Sequence, residues 1–167
     1  TDVDVVLDLM IHDLDLVLSF NPGSVEEVRA SGVAVLSPTT DIANARIQFS
    51  SGCVANLTAS RMSTNKMRRL RLFQRDNYVS IDFQTRQGVI ARRVSTPGEK
   101  PAVETETFQG TADEPLKLQI ESFVQAVRDG AKPEVAGEDG AAALDVAHLI
   151  LKAMAEFARR HSSDGRA

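Results

Sequence analysis

The chain has 167 residues, 43% of them hydrophobic and 25% charged, with a net charge of −4. That is the composition of a globular domain long enough to bury its own core, and the acidic balance argues against a nucleic-acid binder. The lone cysteine, Cys53, excludes an internal disulfide and suits a reducing cytoplasm, while no apolar run approaches the roughly 20 residues that span a bilayer.

The elements follow in chain order. Val5 to Phe20 carries a helical pattern, with Leu7, Met10, Ile11, Leu14, Val17 and Leu18 on one face. Asn21-Pro22-Gly23 stops it. A long extended region comes next. Strands are predicted over Val25–Leu36, Ile42–Phe49, Cys53–Arg61, Met67–Arg75, Tyr78–Phe83, Gly88–Val94 and Val103–Phe108. Ser50-Ser51-Gly52 reads as a hairpin turn and Ser95-Thr96-Pro97-Gly98 as a loop. Short connections between neighbouring strands predict antiparallel pairing. Two helices close the chain. One runs over Pro115–Arg128 with the apolar line Leu116, Ile120, Phe123, Val124 and Val127. The other runs over about Asp139–Arg160, with Val146, Leu149, Ile150, Ala153 and Phe157 as its buried stripe. The tail from Ser162 to Ala167 is expected to fray.

This order predicts an α+β fold: one open, mostly antiparallel sheet of about seven strands with helices on one face. The uncovered face mixes Arg with Ala, Ile and Val, a composition that suits packing against a second copy and predicts a homo-oligomer. The chain opens Thr-Asp-Val-Asp without Met, and is expected to be a piece of a longer protein.

The first helix carries the candidate chemistry. At about 100° per residue, Asp8, His12, Asp15 and Ser19 fall in one narrow sector. The main apolar face borders that sector on one side and Leu9 and Leu16 on the other, which predicts a cleft rather than a solvated face. Asp and His four apart can share a ligand, and a His beside a carboxylate is a natural acid/base. Two other readings stand beside it: acids that merely face water, and a metal site of Asp8, His12 and Asp15. No further His or Cys has ligand spacing to complete the latter.

The stretch Asp8-Leu-Met-Ile-His12-Asp-Leu-Asp15, followed by Leu16-Val17-Leu18, resembles the Asp-x-x-x-His-x-x-Asp signature of the glucose–fructose oxidoreductase / inositol dehydrogenase / MocA family. The hairpin residues Ala43, Arg46, Phe49, Gly52, Ala55, Leu57 and Ser60, and Glu138-Asp139-Gly140, are similar to that family too. The wording around Asp8–Asp15 and Val28-Arg29-Ala30-Ser31-Gly32 resembles its nucleotide-sugar branch. The resemblance implies the second, substrate-side domain of an NAD(P)-dependent oxidoreductase that oxidises a hydroxyl of a sugar, polyol or nucleotide-sugar. It implies His12 as acid/base, Asp8 as its partner and a substrate ligand, and Asp15 as a further contact. A non-catalytic binding or dimerisation module of the same shape is the alternative.

Two departures matter. The Gly-rich turn that holds the dinucleotide, G-x-G-x-x-G, does not occur, so NAD or NADP is expected to sit mainly on a Rossmann domain outside this chain. The family's lysine comes from a Glu-Lys-Pro segment ahead of the signature helix. Glu99-Lys100-Pro101 lies far behind it and reads as a coincidence, so the piece alone is expected to be inactive.

The remaining candidates are weaker. Asn56 and Arg61, expected on a central strand, are candidate substrate contacts. Arg68, Arg69 and Arg71 form a basic run better suited to a solvated strand than to a phosphate clamp. His148 reads as structural. Cys53 alternates with Ala55 and Leu57 and is expected to be a small buried hydrophobe.

Overall fold

The computed structural model describes residues 3–64, 66–95 and 100–162. Thr96-Pro97-Gly98-Glu99 and the tail beyond Ser162 lie outside the described residues. The class is α+β, with seven strands, every pairing antiparallel. The strands form two sheets rather than one. Strands β1 (Val25–Val33), β2 (Ile42–Phe49) and β3 (Val54–Ser60) make the first. Strands β4 (Arg69–Phe73), β5 (Asn77–Asp82), β6 (Gln87–Val94) and β7 (Ala102–Gln109) make the second. The chain divides into two compact units: residues 1–63 with 125–167, and residues 64–124.

The first unit owns the core. Along β2, alternation buries Ala43, Ala45, Ile47 and Phe49 and exposes Asn44, Arg46 and Gln48. The register sets Ala30 beside Ala45 and Ala45 beside Leu57, one continuous apolar row. Helix α3 (Gly137–Ser162) adds Ala143, Val146, Ala147, Ile150 and Met154 to that core. Its buried line runs one step away from the expected stripe, and Leu149 and Phe157 are exposed. Its start is capped by Asp139, whose Oδ2 accepts from the Ala136 N–H at 2.8 Å. Gly32 is there for space: a Cβ would collide with the side chains of Met154 and Thr40 and crowd the Ile42 carbonyl.

The opposite face of this sheet is mixed, with two polar rows at its centre. Arg29, Arg46 and Asn56 form one cross-strand row, and Ser31, Asn44 and Thr58 the next. Val33, Ile42 and Val54 lie on this face too, Val33 and Val54 exposed, so Arg does stand beside Ile and Val there, while the alanines of β2 face the core.

The second unit has no fully buried apolar side chain among its described residues. Its strands put Leu70, Leu72, Val79, Ile81, Ile90 and Phe108 on one face, all exposed or half-exposed. Phe108 lies across from Gly88, where a Cβ would overlap its ring. Asp82 closes the following turn, accepting from the N–H groups of Gln84 and Thr85 at 3.0 and 3.1 Å. Helix α2 (Pro115–Asp129) contains no buried residue.

Candidate active site

The start of the chain is a helix with a fault in it. A π-helical turn, Val6–Met10, runs into helix α1, Ile11–Ser19. The Ile11 N–H bonds the Val6 carbonyl five residues back, so this turn holds one residue more than an α turn. That changes what is buried. Val5, Val6, Met10 and Leu14 are the fully buried positions, whereas Leu7, Ile11, Val17 and Leu18 of the expected stripe are partly buried against the core. A uniform 100° step does not place Val5 above Met10; the wider turn does. Asp4 opens the segment, its Oδ1 accepting from the Val6 N–H at 2.9 Å. Asn21 ends it in the left-handed region, at φ 52°.

The polar sector stands on this packed base. Asp8, His12 and Ser19 are exposed and Asp15 is half-buried. Leu9 is 40% exposed, so that flank is open. Ser19 turns back to the Leu16 carbonyl at 2.8 Å.

The nearest partner of Asp8 is distant in sequence. Arg61 donates to Asp8 Oδ2 from both Nε, at 3.2 Å, and Nη2, at 2.8 Å. Nη2 also donates to the Val3 carbonyl at 2.6 Å. His12 makes no hydrogen bond or ion pair among the described residues, and no contact between it and Asp8 is formed through polar atoms. Arg61 is the first residue beyond β3, which is the edge strand of its sheet; this corrects the expectation of a central strand. By alternation Arg61 falls on the side of Leu57 and Ala59, opposite Asn56. Asn56 is exposed and accepts from Arg46 Nη1 at 3.1 Å, so it is not brought to Asp8.

Behind Arg61 stands Asp41, a residue that pattern reading did not single out. It is the only charged or polar residue fully buried among the described residues. Its Oδ2 accepts from the N–H groups of Val35, Leu36 and Ser37 at 2.8, 2.6 and 3.0 Å, and Oδ1 from Ser37 Oγ at 2.8 Å. Those backbone donors hold its carboxyl far below the ordinary carboxylate range. Arg61 Nη1 lies 3.9 Å from Asp41 Oδ1 and is buried without a hydrogen bond. The signal was a lone Asp after Ser-Pro-Thr-Thr, directly before an apolar strand, which suits a residue that organises a loop.

The other singled-out residues lie away from this corner. Cys53 is exposed, correcting the buried reading: it lies in the hairpin turn before β3 begins at Val54, outside the covered part of the sheet. His148 is exposed on α3, and Lys100 is exposed. Arg69 pairs with Asp82 at 2.8 Å, and Arg68 lies 5.1 Å over the Phe83 ring. No three His, Cys, Asp or Glu side chains cluster to hold a metal among the described residues. No described helix is long and apolar enough to cross a membrane. The positive-φ glycines, Gly23, Gly52 and Gly130, lie in turns, none of them between a strand and the helix N-terminus that would take a diphosphate.

The chain belongs to the GFO/IDH/MocA family: residues 3–81 match the model of its C-terminal domain. It is 39% identical over 127 residues to UDP-N-acetylglucosamine 3-dehydrogenase of Acidithiobacillus ferrooxidans, covering 75% of this chain and 41% of that protein. The solved structure of that dehydrogenase superposes with a TM-score of 0.84 at 35% identity, over 93% of this chain and 49% of the other. Levoglucosan dehydrogenase, solved in complex with NADH, shares the fold with a TM-score of 0.74 at 15% identity, over 91% and 48% of the two chains. The chain therefore spans less than half the length of the relatives it matches.

Proposed function

We propose that this chain is the substrate-binding and catalytic portion of an NAD(P)-dependent dehydrogenase that oxidises a hydroxyl of a sugar, polyol or nucleotide-sugar. A nucleotide-sugar is the preferred substrate, as in the A. ferrooxidans relative. The dinucleotide belongs to a part of the protein outside these residues, and the full-length enzyme is cytoplasmic in this reading. The observation that carries the reading is the exposed Asp8–His12 pair on a helix whose opposite side is fully packed.

Oxidation of an alcohol requires removal of the proton on oxygen. His12 serves as the base, since a neutral imidazole works near neutral pH. Its ring has no competing hydrogen bond among the described residues and is free to take a substrate. Asp8 orients the sugar, and its Oδ1 is without a hydrogen bond among the described residues while Oδ2 is held by Arg61. Asp15, half-buried on the same helix, lines the same sector. Self-association uses the outward face of β1–β3, where Arg29 pairs with Glu27 at 2.7 Å; light scattering of the full-length enzyme tests this, and a monomer would refute it.

The decisive experiment uses the full-length polypeptide. His12→Ala should lose dinucleotide reduction by about 10²–10⁴-fold, the usual contribution of a general base, with unchanged circular dichroism. Full turnover in that variant overturns the proposal.

A further inference from the structure

The Arg61 guanidinium sits in an unusual position for a substrate ligand, because most of it is already spent. Its side chain is 16% exposed, against 43% for Asp8. Nε and Nη2 are both aimed at one oxygen of Asp8, and Nη2 is also on the Val3 carbonyl. Nη1 is buried and faces Asp41. A substrate reaching this corner meets Asp8 Oδ1, not a guanidinium edge.

The backbone ties the same atoms together. The Arg61 N–H donates to the Asp41 carbonyl at 2.9 Å, the Asp41 N–H to Val33 at 3.0 Å, and the Val5 N–H to Thr40 at 3.1 Å. The segment around Asp41 thus joins the end of β1, the end of β3 and the residue that starts the π turn. The extra residue of that turn sets where Asp8 emerges from the helix, and Arg61 is the group that meets it.

We propose that Arg61 is a positioning residue for the Asp8 carboxylate, anchored by Asp41, and does not itself contact substrate. The inference rests on the reading of Asp8 and His12 as the catalytic pair, and it deepens that reading by giving the pair a fixed support. The arrangement orients one carboxylate oxygen with two donors and leaves the other for the sugar. Orientation of this kind acts on the chemical step, since a small displacement of a reacting group slows it strongly. Asp41 supplies the countercharge for the buried guanidinium. Three backbone donors keep Asp41 ionised, so the anchor remains charged across the working pH range.

A double-mutant cycle on the full-length enzyme tests this. Arg61→Ala and Asp8→Ala should each lower kcat/KM more than tenfold, mainly through kcat. The double variant should be no worse than the worse single one within about twofold, because Arg61 acts only through Asp8. Arg61→Lys keeps the charge but loses the paired donors, and should fall between wild type and Arg61→Ala. If Arg61→Ala does not fold, the cycle is run with Arg61→Lys and Asp8→Asn, with the same expectation. Losses that multiply in the double variant mean that Arg61 touches substrate independently, and overturn the proposal. So does wild-type kcat/KM in Arg61→Ala. Turnover retained in His12→Ala overturns the catalytic assignment instead, so the two failures are told apart. In the 167-residue chain itself, Arg61→Lys should move the ¹³C carboxyl resonance of Asp8; an unmoved resonance refutes the contact.

Discussion

The two units of this chain are built largely from antiparallel strands, yet only the first encloses a core. In the first, α3 and the chain's opening helical segment bury the inner face of a three-stranded sheet, down to complete burial of Ile47 and Ile150. In the second, four strands set Leu70, Leu72, Val79, Ile81, Ile90 and Phe108 on one face, with Glu106 beside Ile90, and none of these side chains is fully buried. The candidate catalytic groups all stand on the first unit. Precise placement of a polar side chain needs a base that does not move, and close packing supplies one. Asp8 has Met10 and Val6 beneath it, and Arg61 has Asp41.

Core truncation is the sharpest way to break this contrast. Phe49→Ala should cost about 3–5 kcal/mol, the range for deleting a buried aromatic. Leu72→Ala, half-exposed on the second sheet, should cost about 1 kcal/mol, the centre of ordinary substitutions. Chemical denaturation of the two variants measures both. Equal losses would show that the second unit has a core as closed as the first.

That contrast was not legible in the sequence, although most of the elements were. The boundaries of β2 and the limits of α2 follow from alternation, helical period and turn residues, all of which are local. Which strands share a sheet depends on pairing between distant segments, and nothing in Phe73 or Thr64 marks the break. The site shows the same division. His12 and Asp8 stand out from their spacing alone. The π turn does not, because a periodicity argument presumes 3.6 residues per turn. The Arg61–Asp8 contact spans 53 positions, and the loop signal before Asp41 does not say which residue it meets. Cys53 was misread since alternation continues on paper into a turn where the sheet has ended.

Steric tests give the next largest effect. Gly32→Ala forces a methyl against Met154, Thr40 and the Ile42 carbonyl. Overpacking of this kind costs about 1–3 kcal/mol. Gly88→Ala meets only the ring of Phe108, which is 39% exposed and can swing outward, so its cost should be smaller. Thermal or urea unfolding ranks the two. A larger loss for Gly88→Ala would mean that Phe108 is pinned, and that the second sheet is packed more firmly than its exposure indicates.

Acid titration compares the units through their two perturbed carboxyls. Arg69, the Thr85 N–H and the Gln84 N–H hold Asp82 at about 2, against an ordinary 3.8, despite some desolvation. Asp41 is lowered as well, by backbone donors from Val35, Leu36 and Ser37. For each, the folded form binds the proton less readily than the unfolded chain. The stabilisation is therefore complete above pH 3.8 and is lost as pH falls through the folded value. Carboxyl ¹³C shifts should show the Asp82 midpoint near 2 and Asp41 still ionised well below 3.8. In Arg69→Ala the Asp82 midpoint should rise towards 3.8 while that of Asp41 stays put. A shift of Asp41 in that variant would contradict the independence of the two carboxyl sites.

The smallest expected effect concerns Cys53, at the rim of the packed unit. The thiol is exposed in a turn and contributes nothing to the core that lies a few residues away at Leu57. Cys53→Ser should change stability by less than about 0.5 kcal/mol, as surface substitutions do. A thiol reagent should modify native Cys53 as fast as it modifies the urea-unfolded chain, after correction for the reagent's own rate in urea. Substantial protection in the native state would mean that coverage of the inner sheet face extends past Val54. The boundary between packed and open surface in the first unit would then have to be moved to include the hairpin.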